Sequence, residues 1–168
     1  MPWTKVYLDK DEFEKASSLA SQGLRGVTYR DALREALSQM LEKDKRVLVM
    51  GEGIDDPGGT FGTTTKLHER FGKERFFDIP IAENGMTVVS IGAALAGMRP
   101  VFVHMRVDFL PMCMDQIVNH AAKWHYMFGG KVNVPLVIRS IIGRGWGSAA
   151  QHSQSLQALF SHIPGLKV

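Results

Sequence analysis

Glu83 is the side chain in this sequence best placed to do proton chemistry. It follows the apolar run Ile79-Pro80-Ile81-Ala82 and precedes a long apolar stretch. Its carboxyl is therefore expected to be stripped of water, which favours the neutral form. A plainer reading stands beside this one: an acid at a helix N-terminus, held by the helix dipole. His152 lies in the glycine-rich loop 143–154, within Gln151-His152-Ser153-Gln154. A loop histidine is often only solvated, and a proton-transfer role needs a substrate bound beside it. Two more short segments bring polar or aromatic groups to the ends of apolar runs. They are Gly51-Glu52-Gly53 and Met105-Arg106-Val107-Asp108-Phe109.

Other chemistries are poorly served. Gly51-Glu52-Gly53 lacks the third glycine of a dinucleotide fingerprint, and no Gly-Lys-Ser or Gly-Lys-Thr occurs. Gly143-Arg144-Gly145-Trp146-Gly147 is not followed by a strong helix start, so nucleotide binding is set aside. His68, His104, His120, His125 and His162 show no metal-ligand spacing. His120 and His125 would sit on different faces of a helix. No metal site is expected on this chain.

The elements that must position these groups follow from the hydrophobic pattern. A helix is expected over 28–42, capped by Thr28, with Asp31 in its first turn and Leu33, Leu37, Met40 and Leu41 as its apolar stripe. Residues 46–50 read as a buried strand, 55–63 as loop, and 64–71 as a short helix. Residues 76–81 read as extended, 85–97 as a helix of small residues, and 99–105 as a strand. A long helix is expected over 108–128, with Pro111 in its first turn. A strand over 134–142, a short helix over 156–161 and the start of a further strand at 165–168 complete the pattern. Apolar strands alternating with helices imply an α/β fold, a parallel sheet flanked by helices. Such sheets bind ligands at the carboxyl ends of their strands, where all four segments above fall. The helix containing Ser90, Gly92, Ala93, Ala94, Ala96 and Gly97 has two readings, close packing on its own sheet or contact with another subunit.

Composition narrows the class. The 168 residues suffice for one domain, and 45% apolar with 22% charged residues is ordinary for a globular chain. A net charge of +3 is too small and dispersed to suggest nucleic acid. The cluster Lys43-Asp44-Lys45-Arg46 reads as a solvated turn. Cys113, the single cysteine, excludes an internal disulfide and fits a reducing compartment as a small buried side chain. Acids and lysines interrupt the N-terminus, and the longest nearly apolar run, 86–98, is too short to span a bilayer. A cytoplasmic protein with no membrane association is expected. Residues 1–26 read as an N-terminal extension and 27–168 as one domain.

Several separated motifs keep a familiar order and spacing. They are Gly51-Glu52, Asp78-Ile79-Pro80-Ile81-Ala82-Glu83, Gly92-Ala93-Ala94-Leu95-Ala96-Gly97-Met98-Arg99-Pro100 and Met114-Asp115-Gln116-Ile117-Val118-Asn119. Ala121-Ala122-Lys123, Met127-Phe128-Gly129-Gly130, Val134-Pro135-Leu136-Val137-Ile138-Arg139 and Gln151-His152-Ser153-Gln154 follow. Over 27–168 the chain resembles the beta subunits of pyruvate, branched-chain 2-oxo acid and acetoin dehydrogenases. The resemblance covers the family's pyrimidine-binding domain and not its C-terminal domain.

The resemblance implies the thiamine-diphosphate-binding fold and an oxidoreductase that decarboxylates a 2-oxo acid such as pyruvate. It implies thiamine diphosphate shared with an alpha subunit that holds most of the Mg²⁺ contacts, a hetero-oligomer such as a heterotetramer, and acyl transfer to a lipoyl-bearing acyltransferase. Glu83 matches the glutamate that hydrogen-bonds the aminopyrimidine and favours its imino tautomer. Phe109 matches the aromatic stacked on that ring, and Met105 a residue lining the same pocket. Glu52 matches a second glutamate near the cofactor, and His152 a histidine near the reacting centre. Asn84 after the site carboxylate, the charged Arg106-Val107-Asp108 and the bulky Trp146 depart from the family pattern and bear on substrate choice. Two alternatives stand: a split transketolase-like or acetoin-cleaving enzyme, and a truncated partner-binding module without turnover.

Overall fold

The computed structural model describes residues 10–11, 25–143 and 148–168. Of the N-terminal extension 1–26, all but Lys10, Asp11, Arg25 and Gly26 lies outside the described residues, as do Arg144, Gly145, Trp146 and Gly147. Four strands, β1 (Val47–Gly51), β2 (Phe76–Asp78), β3 (Arg99–His104) and β4 (Val137–Ser140), form one parallel sheet. Their spatial order is β2-β1-β3-β4. β1 is buried along its whole length, as a central strand covered on both faces must be.

The two faces divide the core. Val47, Val49 and Val103 point to one side, where α1 (Tyr29–Lys43) supplies Leu37 and Leu41 and α2 (Leu67–Phe71) supplies Leu67. Leu48, Met50 and Phe102 point to the other, against Met86 of α3 (Glu83–Leu95) and Ile79. Thr28 caps α1 as expected, its hydroxyl accepting from the Asp31 amide at 3.1 Å. Met40, expected in the buried stripe of α1, is exposed. The basic cluster after α1 is more than a solvated turn. Asp44 caps the helix and pairs with Arg46 at 2.8 Å, and the hydrogen bonds from Arg46 hold its pKa down to about 2. Arg75 donates to the carbonyls of Asp44 and Val47, tying the start of β1 to the turn before β2.

The long helix expected over 108–128 is instead three pieces: a 3₁₀ segment Val107–Cys113, a π-helical segment Asp115–Ala121, and α4 (Trp124–Met127). Pro111 inside the first piece carries no N–H, and an α-helix there would lose a bond. The π register shows in the Ala122 amide, which reaches Ile117 O at 2.9 Å. The extended segment 76–81 shortens to β2 ahead of Pro80. The strand expected over 134–142 shortens to β4, because Pro135 has no amide and Leu136 N turns back to Val134 O. Residues 165–168 pair with no strand; Leu166 N closes a turn on Ile163 O. The small-residue helix α3 begins at Glu83, ahead of its expected start. Two short helices, α5 (Ala149–His152) and α6 (Gln157–Ser161), close the described chain.

Candidate functional site

The crossovers leaving β1 and β3 depart to opposite faces of the sheet. After β1 the chain packs through Leu67 on the α1 side. After β3 it packs through Val107, Leu110 and Cys113 on the opposite side, against Ile138. Neighbouring strands whose connections part in this way open a crevice at their carboxyl ends, the usual ligand position in such sheets. Glu52 follows β1 and Met105 follows β3 at this crevice.

Close approach shapes the turn. A Cβ on Gly51 would collide with the Val103 carbonyl, so only glycine lets β1 and β3 pair to their ends. Gly53 takes φ +62°, and its amide donates to Asp78 Oδ1 at 2.6 Å. The Met105 methyl lies 3.5 Å from where a Gly53 Cβ would be, which puts Met105 against the Glu52 turn.

Glu83 is buried in the first turn of α3, whose N-cap, Ala82, offers no side-chain acceptor. Glu83 is thus a buried residue that stands at a helix start. Thr87, fully buried one turn on, donates to the Glu83 carbonyl at 2.7 Å. Glu52 Oε1 is buried with no hydrogen-bond partner. Desolvation first, then the charges of Glu83 and Asp78, push the Glu52 pKa up. Cys113 packs into the same cluster, its thiol pushed up chiefly by burial and less by Glu83 and Glu52. Asp78, Thr87 and Cys113 were not singled out by pattern. Asp78 had one legible signal, its place at the carboxyl end of a strand.

Phe109 and His152 form the second half of the site. Phe109 rides on the 3₁₀ segment, and its ring meets the His152 imidazole at 5.5 Å between centroids and 74° between planes. His152 ends α5, and its Nδ1 is buried without a hydrogen-bond partner. Met105 thus lies against the Glu52 turn, Glu83 is near enough for its charge to act on Glu52, and Phe109 pairs with His152. His104, just before Met105, is 2% exposed, and burial lowers its pKa to about 4. The residues Val137, Ile138, Leu110 and Phe160 line an apolar groove of about 790 Å³ beside β4 that contains none of the five site residues. Among the described residues no group of three or more His, Cys, Asp or Glu is arranged to hold a metal ion. No helix among them is long and apolar enough to cross a membrane.

A parallel α/β sheet with Glu52 and Glu83, an aromatic ring and a histidine following the carboxyl ends of its strands is an open sheet of the class that places ligands at that edge. Comparison with known proteins narrows this. Residues 25–168 match the family model described as transketolase, pyrimidine binding domain, and the chain belongs to that family. It is 44% identical over 154 residues, 86% of its length, to the acetoin:2,6-dichlorophenolindophenol oxidoreductase subunit beta of Cupriavidus necator. It is 46% identical over 142 residues, 84% of its length, to the pyruvate dehydrogenase E1 component subunit beta of Rickettsia bellii. The chain spans about half the length of these relatives, 45% and 44%. A solved split-gene transketolase, described as an inactive beta4 tetramer, shares the fold at TM-score 0.59 and 22% identity, over 80% of this chain and 40% of that one.

Proposed function

We propose that the chain is the pyrimidine-binding part of a thiamine-diphosphate-dependent 2-oxo acid dehydrogenase component, acting with an alpha subunit that supplies the diphosphate and Mg²⁺ contacts. The observation that carries this reading is the buried Glu83 together with the half-buried Glu52, whose Oε1 is shut off from water beside Met105, with Phe109 on the adjoining segment. Buried polar atoms usually have a hydrogen-bond partner, and Glu52 Oε1 has none within the chain. A flat heteroaromatic ring bearing N–H and nitrogen groups suits a site that joins an aromatic and a thioether to buried carboxyls.

When bound, thiamine diphosphate supplies the electron sink that lets a 2-oxo acid lose CO₂. The chain's own residues bind and orient it. Glu83 would hydrogen-bond the aminopyrimidine, and Glu52, its pKa raised by desolvation and by the charges of Glu83 and Asp78, lies close to the same cluster. Phe109 and Met105 would hold the cofactor's pyrimidine ring. His152, against Phe109, would stand near the substrate and pass protons during acyl transfer to a lipoyl acceptor. The exposed Val88, Val89 and Gly92 of α3 provide a face for subunit contact, while Ser90 and Ala94 pack on the sheet. A cytoplasmic assembly is part of this reading.

The test is 2-oxo-acid-dependent dye reduction by the chain co-expressed with an alpha partner, with thiamine diphosphate and Mg²⁺ added. Activity that disappears in Glu83→Gln supports the reading; full activity in that variant removes it. Relatives of both acetoin and pyruvate type match at similar identity, so an acetoin-cleaving enzyme is the second reading, and a panel of pyruvate, branched-chain 2-oxo acids and acetoin separates the two.

A further inference from the structure

The loop that carries His152 is held at both ends by one short segment. Arg106 is 4% exposed, and its Nη2 donates to the Gly143 carbonyl at 2.7 Å, where the loop leaves β4. Two residues on, Asp108 Oδ1 accepts from the Gln154 amide at 3.1 Å, where the loop returns. The neck is closed by Gly143 N donating to Gln154 O at 3.0 Å. Val107 N bonds Ile141 O at 2.9 Å, so this segment runs alongside the chain leaving β4. The Arg106 guanidinium also lies 5.8 Å from the centre of the Phe61 ring, in the loop after β1. Phe61 adopts the left-handed φ of +49°, a conformation an aromatic residue keeps only when its surroundings fix it.

We propose that Arg106 and Asp108 are positioning residues that clamp Gly143 and Gln154 and so hold the His152 imidazole against Phe109. Asp108 sits next to Phe109 in sequence, and the Gln154 amide it fixes lies two residues after His152. One carboxylate therefore sets the spacing between both members of the ring pair. Charge-assisted hydrogen bonds to partly desolvated groups hold geometry better than neutral ones. The role in turnover rests on the function proposed above; the positioning itself does not.

The experiment has two arms. In the first, the full 168-residue chain is studied by NMR as wild type, Asp108→Ala, Asp108→Asn and Arg106→Met, with Phe109→Leu calibrating the ring-current shift on the His152 imidazole protons. Asp108→Ala and Arg106→Met are expected to lose that shift. Exchange of the Gln154 amide should rise roughly tenfold in Asp108→Ala, the scale of one hydrogen bond to a charged group. Asp108→Asn keeps the accepting oxygen and should restore both signals. Wild-type His152 shifts in Asp108→Ala and Arg106→Met overturn the clamp; if Arg106→Met does not fold, the Asp108 pair decides. In the second arm, the complex with an alpha partner is assayed. Asp108→Ala should lower kcat roughly tenfold with the KM for thiamine diphosphate unchanged, and Asp108→Asn should recover it. Unaltered kcat despite a lost ring-current shift refutes the role in turnover. A wild-type complex without 2-oxo acid turnover overturns the proposed function, and the first arm still settles the clamp.

Discussion

The rings of Phe109 and His152 meet nearly at right angles, 5.5 Å between centroids, although the two residues come from loops after different strands. Edge-to-face contact of this kind contributes about 0.5–1.5 kcal/mol beyond buried area. The contact makes Phe109 two-sided: it steadies His152 and is proposed to stack on the cofactor ring. Phe109→Leu should therefore weaken thiamine diphosphate binding to the assembled complex by about 3- to 10-fold, from loss of stacking of that size. His152→Ala should leave that affinity within about twofold while lowering turnover, since its proposed place is beside the substrate and not beneath the ring. Titration of cofactor against both variants, followed by turnover at saturation, checks the pair. Equal losses of affinity in both would break the assignment.

Glu83 is buried in the first turn of α3, and Gln preserves its shape while removing the ionisable proton. Glu83→Gln should lower kcat by about 10²- to 10⁴-fold, the usual range for a positioned acid–base group. Circular dichroism and assembly with the alpha partner should be unchanged. A variant that loses activity only because it no longer assembles would show this in size-exclusion chromatography.

Glu52 gives a dependence on pH. Its folded-state pKa is raised above the ordinary value of 4.5 by burial and by neighbouring Glu83 and Asp78. Below the ordinary value both folded and unfolded chains hold the proton, and the folded state bears no charge penalty there. As pH rises towards the raised value the unfolded state ionises first, so stability is lost on the alkaline side. Glu52→Gln should then raise Tm at pH 7 and have little effect at pH 4. Thermal melts of both proteins across that window decide; parallel curves would remove the coupling.

The legible part of this molecule was the part set by hydrophobic period. β1 reads as Val47-Leu48-Val49-Met50 from any angle, and Thr28 before an apolar stripe announces a helix. Glu83, Met105 and Phe109 were legible as residues following apolar strands, because the carboxyl edge of a parallel sheet is where such residues meet. What escaped depended on contacts between segments distant in sequence. The break of 108–128 into 3₁₀, π and α pieces puts Phe109 and Cys113 on a tight segment against α3, and an i, i+3, i+4 pattern cannot tell that from one long helix. Asp78 joins the site through a hydrogen bond to Gly53, 25 positions away, and Asp108 through Gln154, 46 away. Neither partner is visible in a local window.

The N-cap of α1 tests the scaffold apart from the site. Thr28 Oγ1 accepts from the Asp31 amide, and its hydroxyl donates to Asp31 Oδ2 at 2.6 Å. Thr28→Ala removes both and should cost about 1 kcal/mol. For a chain of this size that corresponds to a fall in Tm of about 2–4 °C. Thr28→Ser, which keeps the hydroxyl, should restore most of it, and differential scanning calorimetry on the three proteins measures the order.

His104 concentrates an uncompensated cost at the end of β3. It is 2% exposed, packs at 4.2 Å on the Phe102 ring, and has neither ring nitrogen hydrogen-bonded. Burial lowers its pKa from 6.5 to about 4. Between these values the unfolded chain takes up a proton that the folded chain refuses, so stability falls as pH drops from about 6.5 to about 4. At about 1.4 kcal/mol per pKa unit the loss approaches 3 kcal/mol, an order-of-magnitude figure. His104→Phe fills the same space with no polar atoms, which removes the acid-side loss and the desolvation of two unsatisfied nitrogens. The variant should be more stable than wild type at pH 7 by about 1 kcal/mol and by several-fold more at pH 4. Urea unfolding at pH 4, 5, 6 and 7 measures both effects. A gap between the two proteins that stays constant with pH would mean that His104 finds a proton acceptor or donor inside the fold.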